Sequence, residues 1–243
     1  MEFFTKLKDD FVSCFIDDSR WKWLLDGLKN TMIITLFALL IGLAIGVVVA
    51  IIRSTFDKNR EEYKKKGGFF YFIWWIVNAI CNIYLTVVRG TPVVVQLLIC
   101  YFIVFASSRN GVAVAIFAFG INSGAYVAEI IRGGIMSIDN GQFEAGRSLG
   151  LSSFTTMKSI VLPQAIKNVL PSIGNEFISL LKETSVIGFL GVIDLTKAAE
   201  RVISRTMNVY FPYISIALVY LAVVYGLSYL FKLLDRRLAK SDR

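Results

Sequence analysis

Residues 30–52 carry no formal charge over 23 positions. As a helix that run is roughly 34 Å long, enough to cross a hydrocarbon core of about 30 Å. A buried helix of a soluble protein is the other reading. Composition argues against it, because 56% of the chain is hydrophobic, whereas soluble domains are closer to half apolar. The first conclusion is therefore a chain that crosses a membrane.

Four further apolar regions follow. Residues 69–106 form one, interrupted at Arg89-Gly90-Thr91-Pro92; residues 111–131 form the next; residues 172–192 are more polar; residues 211–231 are the last. Charge decides how often the chain crosses. Residues 53–68 carry six Lys/Arg and residues 232–243 carry five, whereas the first 27 residues carry four against six Asp/Glu. The positive-inside bias then predicts a cytoplasmic 53–68 loop, a cytoplasmic C-terminus and an external N-terminus. That requires an odd number of crossings, so residues 69–106 cross once and the total is five. Tyr71, Trp74, Trp75 and Tyr84 suit the interface, where aromatic rings collect. The expected organisation is an extracytoplasmic segment over 1–27, an all-α five-span domain over 28–232 and a cytoplasmic tail over 233–243. The first residues lack the pattern of a cleaved signal peptide, so the first span is expected to direct its own insertion.

Several function classes are disfavoured on composition. There is no histidine, the commonest general base and metal ligand. Cys14, Cys81 and Cys100 are odd in number, and the last two lie in apolar runs, so they read as small hydrophobes. The net charge of +8 is explained by topology and not by nucleic acid. No G-x4-G-K-[ST] occurs, so no P-loop for ATP is expected in this chain. Ala38, Gly42, Gly46 and Ala50 recur every four residues, as do Gly120, Gly124 and Ala128; such stripes let helix backbones approach closely. The stretch 57–68 reads as a linker.

Between the third and fourth spans, residues 132–171 form a cytoplasmic stretch. Asp139 or Asn140 can cap a helix whose early turns hold Glu144, near the positive end of its dipole. Gly150 suits the helix stop, Ser152 or Ser153 can cap the next helix, and Pro163 should kink or end it. The residues Glu144-Ala145-Gly146, Gly150, Ile160, Leu162 and Pro163 resemble the EAA signature of ABC importer permeases, E-A-A-x3-G-x9-I-x-L-P, with Gly146 as the single departure. The resemblance extends to Arg89-Gly90-Thr91-Pro92 with Gln96 and Leu97. It continues through Asn122-Ser123-Gly124-Ala125-Tyr126 with Glu129, Arg132, Gly133 and Gly134, and through Gly174-Asn175-Glu176-Phe177-Ile178 with Lys182, Thr184 and Ser185. These segments are similar to the polar amino acid branch, the histidine, glutamine and arginine permeases.

The resemblance covers residues 28 to 232. It implies a type I ABC importer permease of a bacterial cytoplasmic membrane. The coupling loop over 139–171 would dock on a dimer of ATPase subunits, which hold ATP and Mg. A second permease copy, identical or related, would complete the pore, and an extracytoplasmic binding protein would deliver the amino acid. The permease chain itself would hold no cofactor and perform no hydrolysis.

Polar groups inside spans are costly and tend to face a water path or a bundle interior. The candidates for a cargo path are Asn122, Ser123 and Tyr126 on the third span. Glu176, Ser179, Lys182 and Glu183 are those on the fourth, and Thr91 and Gln96 lie beside Pro92. Together they offer carboxylates to an ammonium and a lysine to a carboxylate. Pairing within the bundle is the competing use, above all for Glu129 with Arg132. Residues 192–207 form an amphipathic pattern, with Val192, Leu195, Ala199 and Val202 on one side and Asp194, Lys197, Arg201 and Arg205 on the other, which could close an outer gate or rest at the interface. The rivals are an ion-driven secondary transporter, which would need its own coupling site, and an intramembrane enzyme, for which no nucleophile–base pair is visible.

Overall fold

A computed structural model describes residues 2–240, apart from the side chains of Asn59, Glu62, Lys66 and residues 238–240. The last three residues of the expected tail lie outside the described range. Every regular element among the described residues is helical. They are α1 (Glu2–Phe11), α2 (Trp21–Lys66), α3 (Gly68–Gly90), α4 (Val93–Ile99), α5 (Gly111–Met136), α6 (Asn140–Ser148), α7 (Ser153–Thr156), α8 (Leu162–Glu183), α9 (Leu195–Thr206) and α10 (Tyr210–Lys240).

Four of these helices, α2, α3, α5 and α10, are long and apolar enough to cross a membrane. The expected fourth span, 172–192, is built differently. It is the second half of α8 followed by a 3-10 stretch over Thr184–Leu190, and Asn175, Glu176, Lys182 and Glu183 keep it too polar to qualify by apolarity alone. The region 69–106 is α3, a break at Thr91-Pro92, α4 and a π-helical turn over Cys100–Val104. The break follows from proline, which has no N–H to continue the helix and pushes the preceding residue to an extended conformation. Thr91 is accordingly extended at φ −122°, ψ 147°.

One expectation fails here. The stretch 57–68 is no linker, because α2 continues unbroken to Lys66. Between Asp57 and Lys66 there is no glycine or proline, and Lys, Arg and Glu are good helix formers. At 46 residues α2 is about 69 Å long, over twice the hydrocarbon thickness. Pro163, expected to kink or end its helix, does not end it. The chain stays helical from Ser153 past Pro163, with Thr156 and Leu162 both in the right-handed helical region. The irregularity that a proline without an N–H imposes is the π-helical turn over Met157–Val161 directly before it.

The chain divides into two compact units. One contains residues up to Ala38, Val93–Phe119 and Phe177–Leu230. Its core joins Cys14, Phe15 and Leu24 to Leu195, Ala198, Ala199 and Val202 of α9 and to Ile216 of α10. The start of α2 is fastened to the entry of α9. Thr31 Oγ1 accepts from the Leu195 N–H at 3.2 Å, and Asn30 Nδ2 donates to the Ile193 carbonyl at 2.8 Å. Asp194 is fully buried, so it does not join the exposed polar side of α9 expected for it; it caps the helix, Oδ1 accepting from the Lys197 N–H at 2.8 Å.

The other unit contains Leu39–Pro92, Gly120–Glu176 and the chain from Phe231 onward. Here α2 and α5 meet through the predicted small residues. A Cβ on Gly46 would lie 2.5 Å from Val127 Cγ1, and one on Gly124 would lie 3.0 Å from Ile45, so neither position has room for a larger residue. Val49, Cys81, Leu85, Ala125 and Ala128 form the core between α2, α3 and α5. A second cluster, Ile135, Ile138, Val161 and Ala165, holds the 139–171 stretch onto α5. The three cysteines are free thiols, and Cys14 and Cys81 are buried.

Candidate functional site

The loop after α5 is built from local chemistry. Asp139 is the N-cap of α6, its Oδ1 accepting from the Gly141 N–H at 2.6 Å. The helix ends in a Schellman arrangement: Gly150, at φ 76°, donates its N–H to the Arg147 carbonyl at 2.9 Å, and Leu151 donates to Gly146 at 3.1 Å. Ser152 then caps α7 by accepting from the Thr155 N–H at 3.2 Å. Two short helices therefore meet at a tight elbow.

Gly146, the departure from the signature, is buried where α6 crosses α7. A Cβ there would lie 2.6 Å from both Oγ1 and Cγ2 of Thr156. Thr156 fills the space that an alanine would need. Glu144 and Ala145 are exposed, as are Leu162 and Pro163, while Ile160 is half-buried. The sequence did not single out Leu149 and Phe154, yet they expose 77% and 75% of their surface on either side of the elbow. Their apolarity beside glycine and serine was the available signal. Phe143 faces inward to Lys58 of α2, whose ammonium lies 3.4 Å from the ring centre.

In the same unit α5 carries three of the cargo-path candidates. Asn122 and Ser123 are buried, and Tyr126 is partly exposed. Ser123 Oγ donates to Glu176 Oε1 of α8 at 2.8 Å, which brings two candidates from different helices into direct contact. One turn further along α5 lies a charged chain. Arg132 donates to Glu129 at 3.1 Å and reaches Asp57 at 3.4 Å; Arg89 stands 3.9 Å from Glu129 and lies over the Tyr126 ring at 5.6 Å. The pairing of Glu129 with Arg132 is thus present, and Arg89 and Asp57 extend it. Thr91 turns back on its own helix, Oγ1 donating to the Val87 carbonyl at 2.8 Å.

The remaining candidates belong to the other unit. Gln96 is half-buried on α4; Ser179 and Glu183 are half-buried on α8, and Lys182 is exposed. Beside the last turn of α8, Thr184 donates to the Leu181 carbonyl at 2.7 Å.

A family model described as the binding-protein-dependent transport system inner membrane component matches residues 69–240. The chain belongs to this family. Among curated relatives, the permease is 36% identical over 219 residues to a putative glutamine transport system permease protein GlnP of Rickettsia typhi, covering 89% of this chain and 93% of that protein. It is 35% identical over 219 residues to the glutamine transport system permease protein GlnP of Escherichia coli, at 88% and 92% coverage. Among solved structures, the crystal structure of an amino acid ABC transporter with histidines matches the permease with a TM-score of 0.78 and 35% identity, over 92% of this chain and 98% of that one. An inward-facing MetNI methionine ABC transporter matches at a TM-score of 0.71 and 16% identity, over 89% and 96%, which speaks for the fold alone. The permease is thus an all-α inner-membrane transport component of the type I ABC importer fold, and an ion-driven secondary transporter is not the favoured reading.

Proposed function

We propose that this chain is one half of the pore of an ATP-driven importer for glutamine or a similar polar amino acid. The α6–α7 elbow carries the reading: it presents Glu144, Ala145, Leu149 and Phe154 outward from a folded, doubly capped support. A partner ATPase, holding ATP and Mg, docks on this surface, and its closure moves α6. A second permease copy faces this one, and an external binding protein supplies the cargo. The two halves alternate between inward-open and outward-open states. The N-terminus is external and the C-terminus cytoplasmic, in keeping with the distribution of Lys and Arg.

The cargo path in this proposal follows Asn122, Ser123, Tyr126 and Glu176, with Ser179, Lys182, Glu183, Gln96 and Thr91 along the rest of it. Glu176, already held by Ser123, offers a carboxylate to an ammonium, and Lys182 offers an ammonium to a carboxylate. A zwitterionic amino acid needs both.

The test is uptake of labelled glutamine into vesicles that contain the permease, its co-purified ATPase and a binding protein. Glu144→Lys is expected to abolish co-purification of the ATPase and uptake without altering the helical content. Normal co-purification and uptake by that variant would remove the docking role from the elbow. Glu183→Gln is expected to change the preference across an amino acid panel while leaving assembly intact.

A further inference from the structure

Past Lys58, the lysine-rich stretch after the first apolar run has no part in the transport reading, yet it is a built element. Arg53 Nη1 donates to Asn82 Oδ1 at 3.2 Å and to Asn78 Oδ1 at 3.5 Å, a polar layer at the end of the uncharged run. Beyond it α2 continues to Lys66, and Gly67 and Gly68, at φ 61° and 69°, reverse the chain into α3. The inner side of this hairpin is closed by its own rings. Tyr63 stacks on Trp74 at 5.6 Å and meets Phe70 edge-on at 5.5 Å, and Phe56 stacks on Tyr71 at 6.5 Å.

The outer side is open. Phe69, Phe72, Ile76, Ile80, Ile83 and Val87 are all exposed, and their spacing of three or four places them on one stripe of α3. Ile80, Ile83 and Val87 belong to α3, one of the helices long and apolar enough to cross a membrane. The same stripe continues without interruption past the Arg53 layer to Phe69, which is 78% exposed, and Phe70 and Trp75 widen it. Residues 67–88 contain no formal charge. On the other arm Arg60, Lys64 and Lys65 are exposed and make no ion pair with any described residue. Apolar patches of this extent are rarely left in water. Aromatic rings beside unpaired Lys and Arg are what the headgroup layer of a charged leaflet selects.

We propose that this hairpin is a site for anionic lipid. Arg60, Lys64 and Lys65 bind phosphate oxygens of the headgroups, and the Phe69–Trp75 face enters the interfacial layer beside them. Continuity with the exposed apolar stripe of a helix long enough to cross a membrane favours lipid over a protein partner. So does the absence of any charged side chain on the aromatic arm, since protein interfaces are rimmed by polar groups.

The experiment uses the full chain in vesicles of phosphatidylcholine with added phosphatidylglycerol, either lipid being brominated near its headgroup. The difference in tryptophan emission between the parent and Trp75→Phe isolates the Trp75 signal. Trp75 is expected to be quenched several-fold more by brominated phosphatidylglycerol than by brominated phosphatidylcholine. High salt should remove the preference, as screening of exposed charges requires, and so should the triple variant Arg60→Gln, Lys64→Gln, Lys65→Gln. Glutamine keeps helix propensity at exposed positions, so that variant folds, and its Trp75 should be quenched equally by the two lipids. Equal quenching in the parent chain would overturn the anionic-headgroup claim. A Trp75 reached by aqueous acrylamide and by neither lipid, or shielded from both, would overturn the lipid site altogether, the second result pointing to a protein on that face.

Discussion

The ammonium of Lys58 lies 3.4 Å from the centre of the Phe143 ring, so the cytoplasm-side extension proposed for α2 holds the helix that bears Glu144. Lys58 Nζ is buried and has no hydrogen-bond partner among the described residues, which leaves the ring face as its principal contact. Such a pair contributes about 0.5–2 kcal/mol depending on desolvation. Lys58→Met should therefore loosen α6 and reduce ATP-driven uptake several-fold, while Lys58→Arg, which stays cationic and can lie flat on a ring, should retain most of it. Limited proteolysis within residues 139–151 provides a second readout. If the methionine variant resisted cleavage and transported as the parent does, the contact would be incidental.

Gly146 and Thr156 test the elbow from inside. An alanine at 146 would place its methyl 2.6 Å from two Thr156 atoms, and overpacking of this kind costs roughly 1–3 kcal/mol. Gly146→Ala should lower the melting temperature in detergent and weaken ATPase co-purification, although it restores the common EAA spelling. Thr156 Oγ1 is buried without a hydrogen-bond partner among the described residues, so Thr156→Ala loses little, and the double variant should recover most of the stability. A Gly146→Ala variant as stable as the parent would show that the two helices part easily at this point.

These two contacts mark how far the sequence could be read. The Asp139 cap, the Gly150 stop and the Ser152 cap follow from interactions within a few residues, and each was legible as a pattern of residue types. The close packing of Gly46 and Gly124 was legible as periodicity. The Ser123–Glu176 bond was not, because 53 residues separate the partners and only the packing of α5 on α8 brings them together. The helical run to Lys66 was misread because its charges look like a linker, yet those residues favour helix wherever they have no glycine or proline neighbour. Asp194 was placed on the polar side of α9 by spacing, whereas the backbone N–H groups at the helix start, and not water, are its partners. Arg89 was visible within a motif, but its approach to Tyr126 and Glu129 depends on tertiary structure.

Ser123 and Glu176 give a test of the path. Removing the hydroxyl takes a hydrogen bond from a carboxylate, worth about 1.5–3 kcal/mol when one partner is charged. Ser123→Ala should lower the apparent affinity for glutamine in vesicle uptake and shift the order of preference across an amino acid panel. Ser123→Thr should keep the donor. If Ser123→Ala lowered thermal stability alone and left the uptake profile untouched, the bond would belong to packing and not to the cargo path.

Asp194 predicts a dependence on pH. Burial raises its pKa above the ordinary 3.8, and the N–H of Lys197 donating to Oδ1 only partly opposes this. The folded state therefore binds the proton more tightly than the unfolded chain does. The contribution to stability is fully present below the unfolded value and is lost as pH rises through the folded one. Asp194→Asn keeps a good N-cap and removes the charge, so its melting temperature should be flatter with pH than the parent's and should exceed it at neutral pH. Asp194→Ala removes the cap and should cost about 1 kcal/mol at low pH, where the parent's side chain is neutral. Parallel melting profiles for the parent and Asp194→Asn between acidic and neutral pH would mean that folding leaves the proton affinity of the carboxyl unchanged, and burial would then not govern its ionisation.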